Sequence, residues 1–191
     1  MRKLLLFLSL FPVMNFIVTG CTGDDDKDVW DKYTEWREEN EAWLAQQARL
    51  ETEDGLAYYN RIVPSWNPGV YILMHYHNDR SLTIENLVPL ETSTVDVKYR
   101  GKLYNTDIPF DSSYSNVSSI YGDSIFRTTV TNVIKGWQIA LQEMHVGDSV
   151  TVLIPYNVGY GANTSIENIP PYSVLEFDIK LVDIPYYQVR P

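Results

Sequence analysis

Among its 191 residues the chain has one cysteine, Cys21, and three histidines. A single thiol excludes an intramolecular disulfide and any metal site built on several thiolates. The histidines add little. His75 and His77 alternate along an apolar stretch and would share one face of a strand, but no third ligand stands nearby, and His145 is alone. These residues read as strand histidines, and no metal site is assigned. Basic charge is scarce too: 15 Lys and Arg face 25 Asp and Glu, for a formal net charge of −10. Such a chain is repelled by phosphate backbones, and no basic stripe offsets this, so nucleic acid is excluded as a partner. An apolar content of 45% is ordinary for a globular protein, and the length suits one domain with a smaller appendage.

What is present begins with the leader. Residues 1–20 open with Met1-Arg2-Lys3 and continue in a mostly apolar run, Leu4 to Val18, broken by Ser9, Pro12 and Asn15. A basic start and a short apolar core form the secretory signal pattern. A membrane-spanning helix needs about 20 apolar residues, which this run does not supply. The leader ends Val18-Thr19-Gly20-Cys21. This resembles the bacterial lipobox, which implies that Cys21 carries lipid and holds the protein on a membrane. With Arg2 and Lys3 removed, the charge of the remainder becomes −12. Residues 21–28 hold Asp24, Asp25, Asp26 and Asp28, a self-repelling run that reads as a solvated tether. The same run resembles the acidic signal that sends some lipoproteins of the Bacteroides group to the cell surface. Both readings of it stand, and the lipid anchor implies a place in a bacterial cell envelope, on the outer membrane, periplasmic or surface-exposed.

Residues 29–66 form the next segment. From Val29 to about Glu53 the composition suits a helix, with no proline or glycine. Val29, Tyr33, Trp36, Trp43, Leu44 and Gln47 fall on one helical stripe, which Asn40 interrupts. The stripe must bury against something, either the protein's own domain or a second copy in a homodimer. Asp54-Gly55 is expected to end this helix, with a short second one over Leu56–Ile62. Trp66-Asn67-Pro68-Gly69 is a turn signal and marks the domain boundary.

The remaining residues, 67–191, change to strand patterning. Val70–Tyr76, Val95–Tyr99, Ser149–Ile154 and Val174–Leu181 read as strands. Between them Ile134, Trp137, Leu141 and Met144 recur at helical spacing after Asn132, the expected cap. The fold class is therefore α+β, an antiparallel sheet on one short helix. Pattern alone names no activity.

Specific residues go further. Val97-Lys98-Tyr99-Arg100-Gly101 leads to Phe110-Asp111-Ser112-Ser113, then Val133-Ile134-Lys135-Gly136-Trp137 and Ala140-Leu141. Met144-x-Val146-Gly147-Asp148, Ile154-Pro155, Tyr160-Gly161, Ile169-Pro170-Pro171 and Leu175-x-Phe177-x-Ile179-x-Leu181 follow. In this order, across about residues 93–184, the pieces resemble an FKBP-type peptidyl-prolyl cis–trans isomerase. The resemblance implies a half-barrel of antiparallel strands around the short helix, with a shallow aromatic pocket for a prolyl residue. By motif, Trp137 would floor the pocket, while Tyr99, Phe110, Val133, Ile134 and Phe177 would line it. Asp111 and Tyr160 would supply its polar groups, and Ile169 a contact at the rim. The implied substrates are proline-containing polypeptides, and no metal or cofactor is called for.

The sequence departs from the family pattern at several places. Arg100 stands where a small residue is usual, at a position expected to face outward. The stretch after Asp111 is longer and more polar, so a second pocket phenylalanine falls on Ser124 unless Tyr121 or Ile125 replaces it. Asn168 replaces a bulkier apolar residue before Ile169. A wall weakened at Ser124 would favour a rival reading, a non-catalytic module that grips proline segments.

Overall fold

A computed structural model describes residues 24–115 and 120–187. The signal segment 1–20 and Cys21 lie outside the described residues. The strands follow from alternation. In β7 (Leu175–Asp183), Leu175, Phe177, Ile179 and Leu181 point inward while Glu176, Asp178 and Lys180 point away. It pairs antiparallel with β3 (Thr94–Leu103) on one side and β6 (Ser149–Ile154) on the other. β2 (Ile72–Tyr76) joins β6, and β1 (Asn60–Ile62) closes that edge. At the opposite edge β4 (Pro109–Ser112) and β5 (Phe126–Thr129) both pair with β3, giving one seven-stranded antiparallel sheet. The expected α+β architecture is present.

The sheet curls around one short helix, α3 (Lys135–Glu143), whose Trp137, Ile139, Ala140 and Leu141 are buried among Met74, Val97, Val152 and Ile179. Asn132 does not cap it. Ile134 holds the N-cap position and makes no side-chain cap bond. The buried amide of Gln138 reaches back instead, donating from Nε2 to the carbonyls of Val133 (2.7 Å) and Thr131 (3.3 Å). This pins the segment that enters the helix.

The N-terminal segment differs from expectation in three ways. It is two helices, α1 (Asp24–Lys32) and α2 (Thr34–Gln47), so helix begins within the acidic run assigned to a tether. The break falls at Tyr33, where the Thr34 hydroxyl approaches the Trp30 and Asp31 carbonyls and competes with the helical ladder. Asp54-Gly55 is the turn of a small hairpin, not a helix end. Thr52 N–H donates to Leu56 O and Tyr58 N–H to Leu50 O, each at 2.8 Å, around Gly55 with φ +75°. Finally, Leu56–Ile62 forms no helix. Its end is strand β1, so the sheet starts before the boundary expected at residue 67, and the Trp66–Gly69 turn lies inside a strand connection.

The aromatic stripe lies against the chain's own sheet. Leu44 is buried with Leu73, Leu153 and Val174 on the outer face, and Trp36 and Trp43 pack on Tyr104 with centroids 5.6 and 5.3 Å apart. Asn40 joins the two parts. Fully buried, it donates to Trp36 O (2.7 Å) and accepts from Val174 N–H (2.8 Å). Leu44→Ala is expected to cost about 2–5 kcal/mol, because the helix and sheet close incompletely over the lost volume. A urea midpoint that falls at constant slope would register it.

A second polar anchor ties the loop after β2 to the turn before β6. Asp148, with no exposed side-chain surface, accepts from His145 N–H (2.8 Å), Asn78 Nδ2 (3.0 Å) and the Thr83 hydroxyl (2.5 Å). Arg80 Nε lies 3.7 Å from its carboxylate. Burial alone would raise the Asp148 pKa, yet these bonds and the Arg80 charge hold it below the ordinary value. His75 and His77 share a face, as expected, with rings 5.2 Å apart. Their ring nitrogens bond Tyr58 O and the Thr151 hydroxyl.

Candidate functional site

At the N-terminal end of α3 the curled sheet leaves a cavity of about 260 Å³. Trp137, on the first turn of the helix, lies in it with only 4% of its surface exposed. Two rings meet the indole edge-on: Tyr99 from β3 at 5.1 Å and 85°, and Phe177 from β7 at 5.2 Å and 88°. Mutual edge contacts of this kind fix each ring's direction. Val133 and Ile134, held by Gln138, form another side, and Tyr160 the next. The volume is below the about 300 Å³ from which drug-sized sites begin, so the site suits one small ring.

The polar groups are few and placed. Asp111 on β4 accepts the Tyr99 hydroxyl at 2.7 Å. The Tyr99 backbone is itself held, its N–H donating to the buried Ser113 hydroxyl at 2.9 Å. Burial, reinforced by the Asp111 carboxylate, raises the Tyr99 pKa well above the usual phenol range. Burial and the same carboxylate raise Tyr160 as well. Both phenols therefore keep their protons at neutral pH and act as donors. Tyr99 spends its proton on Asp111, whereas the Tyr160 hydroxyl makes no hydrogen bond to a described residue.

Of the expected residues, Tyr99, Asp111, Val133, Ile134, Trp137, Tyr160 and Phe177 meet in this cavity. Two do not line it. Phe110 stands behind Phe177, centroids 5.6 Å apart, and faces a neighbouring surface hollow of about 640 Å³ beside Arg100 and Tyr114. Phe177 stands between Phe110 and the cavity, whereas Asp111, the next residue on β4, borders both the cavity and the hollow. Ile169 is 6% exposed and belongs to the core beneath the rim. Two residues were missed. Asn132 lines the mouth, and Phe126, edge-on to Tyr99 at 5.5 Å, closes the wall that had been left to Ser124, Tyr121 or Ile125. Ser124 instead occupies a left-handed turn at φ +60°. The pairing of β5 with β3, which sets Phe126 opposite Val97, brings it there, and no local sequence signal marks that pairing. Arg100 is exposed, as expected, and Asn168 has φ +62°, a conformation that asparagine tolerates better than a bulky apolar residue.

Comparison with known proteins gives a consistent picture. The family described as FKBP-type peptidyl-prolyl cis-trans isomerase matches residues 87–182. The macrophage infectivity potentiator of Trypanosoma cruzi is 42% identical over 89 residues, which are 47% of this chain and 42% of that protein. FK506-binding protein 2 of Candida glabrata is 36% identical over 98 residues, 51% of this chain and 69% of that protein. Against four curated relatives the chain spans 18%, 35%, 42% and 64% of their own length. Among solved structures, FkpA from Escherichia coli superposes with a TM-score of 0.63 at 20% identity, over 83% of this chain and 63% of that one, which is a likeness of fold.

Proposed function

Because the chain belongs to the FKBP-type peptidyl-prolyl cis-trans isomerase family, we propose that it turns X–Pro bonds in exported polypeptides by twisting them in the aromatic cavity. The observation that carries this is the convergence of Trp137, Phe177, Tyr99 and Phe126 on a one-ring space into which the Tyr160 hydroxyl is an open donor. An X–Pro bond resists rotation because resonance stiffens it, with a barrier of about 18–20 kcal/mol. Twisting breaks the resonance and reduces charge separation in the amide. An apolar enclosure that strips water from the carbonyl thus favours the twisted form over the planar one. The Tyr160 hydroxyl donates to the substrate carbonyl. Asp111, fixed by Tyr99, keeps the ring of Tyr99 in register and presents its second oxygen to the distorted amide. Closure of the wall by Phe126 supports turnover over mere gripping, since the rival reading rested on a gap at Ser124.

The same reading places the activity in the bacterial envelope. A lipid on Cys21 anchors the chain to the outer membrane, in the manner of Bacteroides-group lipoproteins, with residues 1–20 removed on export. There, uncatalysed isomerisation over tens of seconds would limit folding. The experiment is a cis–trans exchange assay on an Ala-Leu-Pro-Phe peptide. Acceleration is expected, with a loss of about tenfold in each of Asp111→Ala and Tyr160→Phe, the worth of one hydrogen bond near 1.4 kcal/mol. A folded protein that binds the peptide without accelerating exchange would transfer the conclusion to a binding module.

A further inference from the structure

The segment between β6 and β7 forms the rim of the cavity. It carries Tyr160, passes Ile169 and returns through Tyr172 to Phe177. Its return is strained. Tyr172 is a bulky residue at φ +63° and yet only 5% exposed. Such a conformation is strained and persists only where neighbours over-determine it. Here the Tyr172 N–H donates to Gly161 O at 2.8 Å, which ties the return limb to the residue beside Tyr160.

The neighbours come from the N-terminal helices. The Tyr172 ring is held edge-on between Tyr156 (5.3 Å, 88°) and Trp30 of α1 (5.2 Å, 84°). The guanidinium of Arg37, on α2, lies 3.4 Å from the centroid of Trp30, and its Nη1 donates to the Trp30 carbonyl. The next two residues are also taken. Trp36 Nε1 donates to the Ser173 hydroxyl at 3.1 Å, and Asn40 accepts the Val174 N–H at 2.8 Å. The Ser173 hydroxyl in turn donates to Pro170 O at 2.6 Å. Three consecutive rim residues are thus gripped by two helices far away in sequence.

We propose that α1 and α2 are a built-in brace of the substrate rim, with Asn40 and Trp30 as positioning residues that hold Tyr172 in its left-handed conformation and so fix Tyr160 over the cavity. The proposal rests on the isomerase reading for its effect on rate, but not for its effect on structure. Without the brace, Tyr172 relaxes, the Gly161–Tyr172 bond opens, and Tyr160 no longer meets the substrate carbonyl at a fixed distance. Asn40 is placed for this because one side chain satisfies both its own helix and the first backbone donor of β7's approach.

The test uses the full chain in detergent with three variants: Asn40→Leu, of similar volume but without the acceptor, Trp30→Ala, at a half-exposed position that does not threaten folding, and Leu44→Ala as the comparison. Leu44 packs the same helix on the sheet, in a cluster that includes the Val174 side chain, but makes none of the hydrogen bonds or ring contacts that hold the rim. Amide exchange at Gly161 and Tyr172 is expected to speed up about tenfold or more in the first two variants while β3 and β7 keep their protection. The rate constant kcat/KM should fall about tenfold in both, as a displaced donor requires. Leu44→Ala should lower the unfolding midpoint yet keep kcat/KM at temperatures where it is folded. Unchanged exchange at Gly161 and Tyr172 overturns the brace. So does an equal loss of kcat/KM in Leu44→Ala, which would reduce the helices to a general contribution to stability. A wild-type chain without isomerase activity would overturn the isomerase reading instead, and exchange alone would then decide the brace.

Discussion

Gly101→Ala is expected to lower kcat/KM for a proline peptide about a hundredfold while leaving a folded protein. Gly101 lies on β3 opposite Phe177 of β7 and next to the β4 register that carries Asp111. A Cβ there would collide with Cε1 of Phe177 and stand 2.9 Å from two ring carbons of Phe110. Phe177 has nowhere to retreat but the cavity. Phe177 is 3% exposed, edge-on to Trp137 on one side and to Phe110 on the other. The added methyl therefore drives the Phe177 ring into the cavity, into the space a prolyl ring would take. Overpacking of this type also costs about 1–3 kcal/mol of stability. The exchange assay at saturating and limiting peptide, run beside a denaturant titration, separates the two effects. A variant that loses stability but keeps its activity would remove Phe177 from the substrate wall.

Asp148→Ala carries the largest expected loss of stability, about 3–5 kcal/mol at neutral pH. The carboxylate is fully buried and takes three hydrogen bonds with Arg80 beside it, so its removal strands donors from two separate loops. The pH dependence follows from the lowered pKa. A carboxyl that is more acidic in the folded than in the unfolded chain binds fewer protons when folded, and its contribution is complete above the ordinary aspartate value of 3.8. It disappears as pH falls further, through the folded value. The gap in unfolding free energy between wild type and variant should thus be constant from pH 7 to about pH 5 and narrow below about pH 4. Denaturant midpoints at these pH values measure it. A gap that stays constant into strong acid would show that Asp148 acts through shape and not through its charge.

The sheet and α3 were legible because their signals are local. Alternation in Ser149–Ile154 and Leu175–Leu181, and the spacing of Trp137, Leu141 and Met144, each declare one buried face. Most of the cavity was legible for another reason, since the ordered motifs fix which strand faces it. What escaped depended on contacts distant in sequence. Phe126 enters the wall because β5 pairs with β3, and nothing within the loop itself reports that pairing. Phe110 left the wall because, beside a bulge in the β3–β4 register, its ring packs on the far side of Phe177 against the core, while the neighbouring Asp111 reaches the cavity. Asn40 looked like a flaw in an apolar stripe because its partner, the Val174 amide, lies 134 residues away. The helix expected to run to Glu53 stopped at Gln47 because an Asp-Gly turn can make a hairpin as readily as end a helix.

The position of β1 bears on how this protein can be divided. A three-residue strand from the N-terminal segment covers the outer edge of β2, whose backbone donors and acceptors would otherwise face solvent. Cutting the chain at the Trp66–Gly69 turn would leave Ile72–Tyr76 as a naked, largely apolar edge, the kind of surface on which foreign strands nucleate. The sheet is consequently not a portable cassette. Its two flanks are supplied by one segment, which braces the rim on one side and seals the sheet on the other. Insertion, deletion or recombination between them is constrained to keep both.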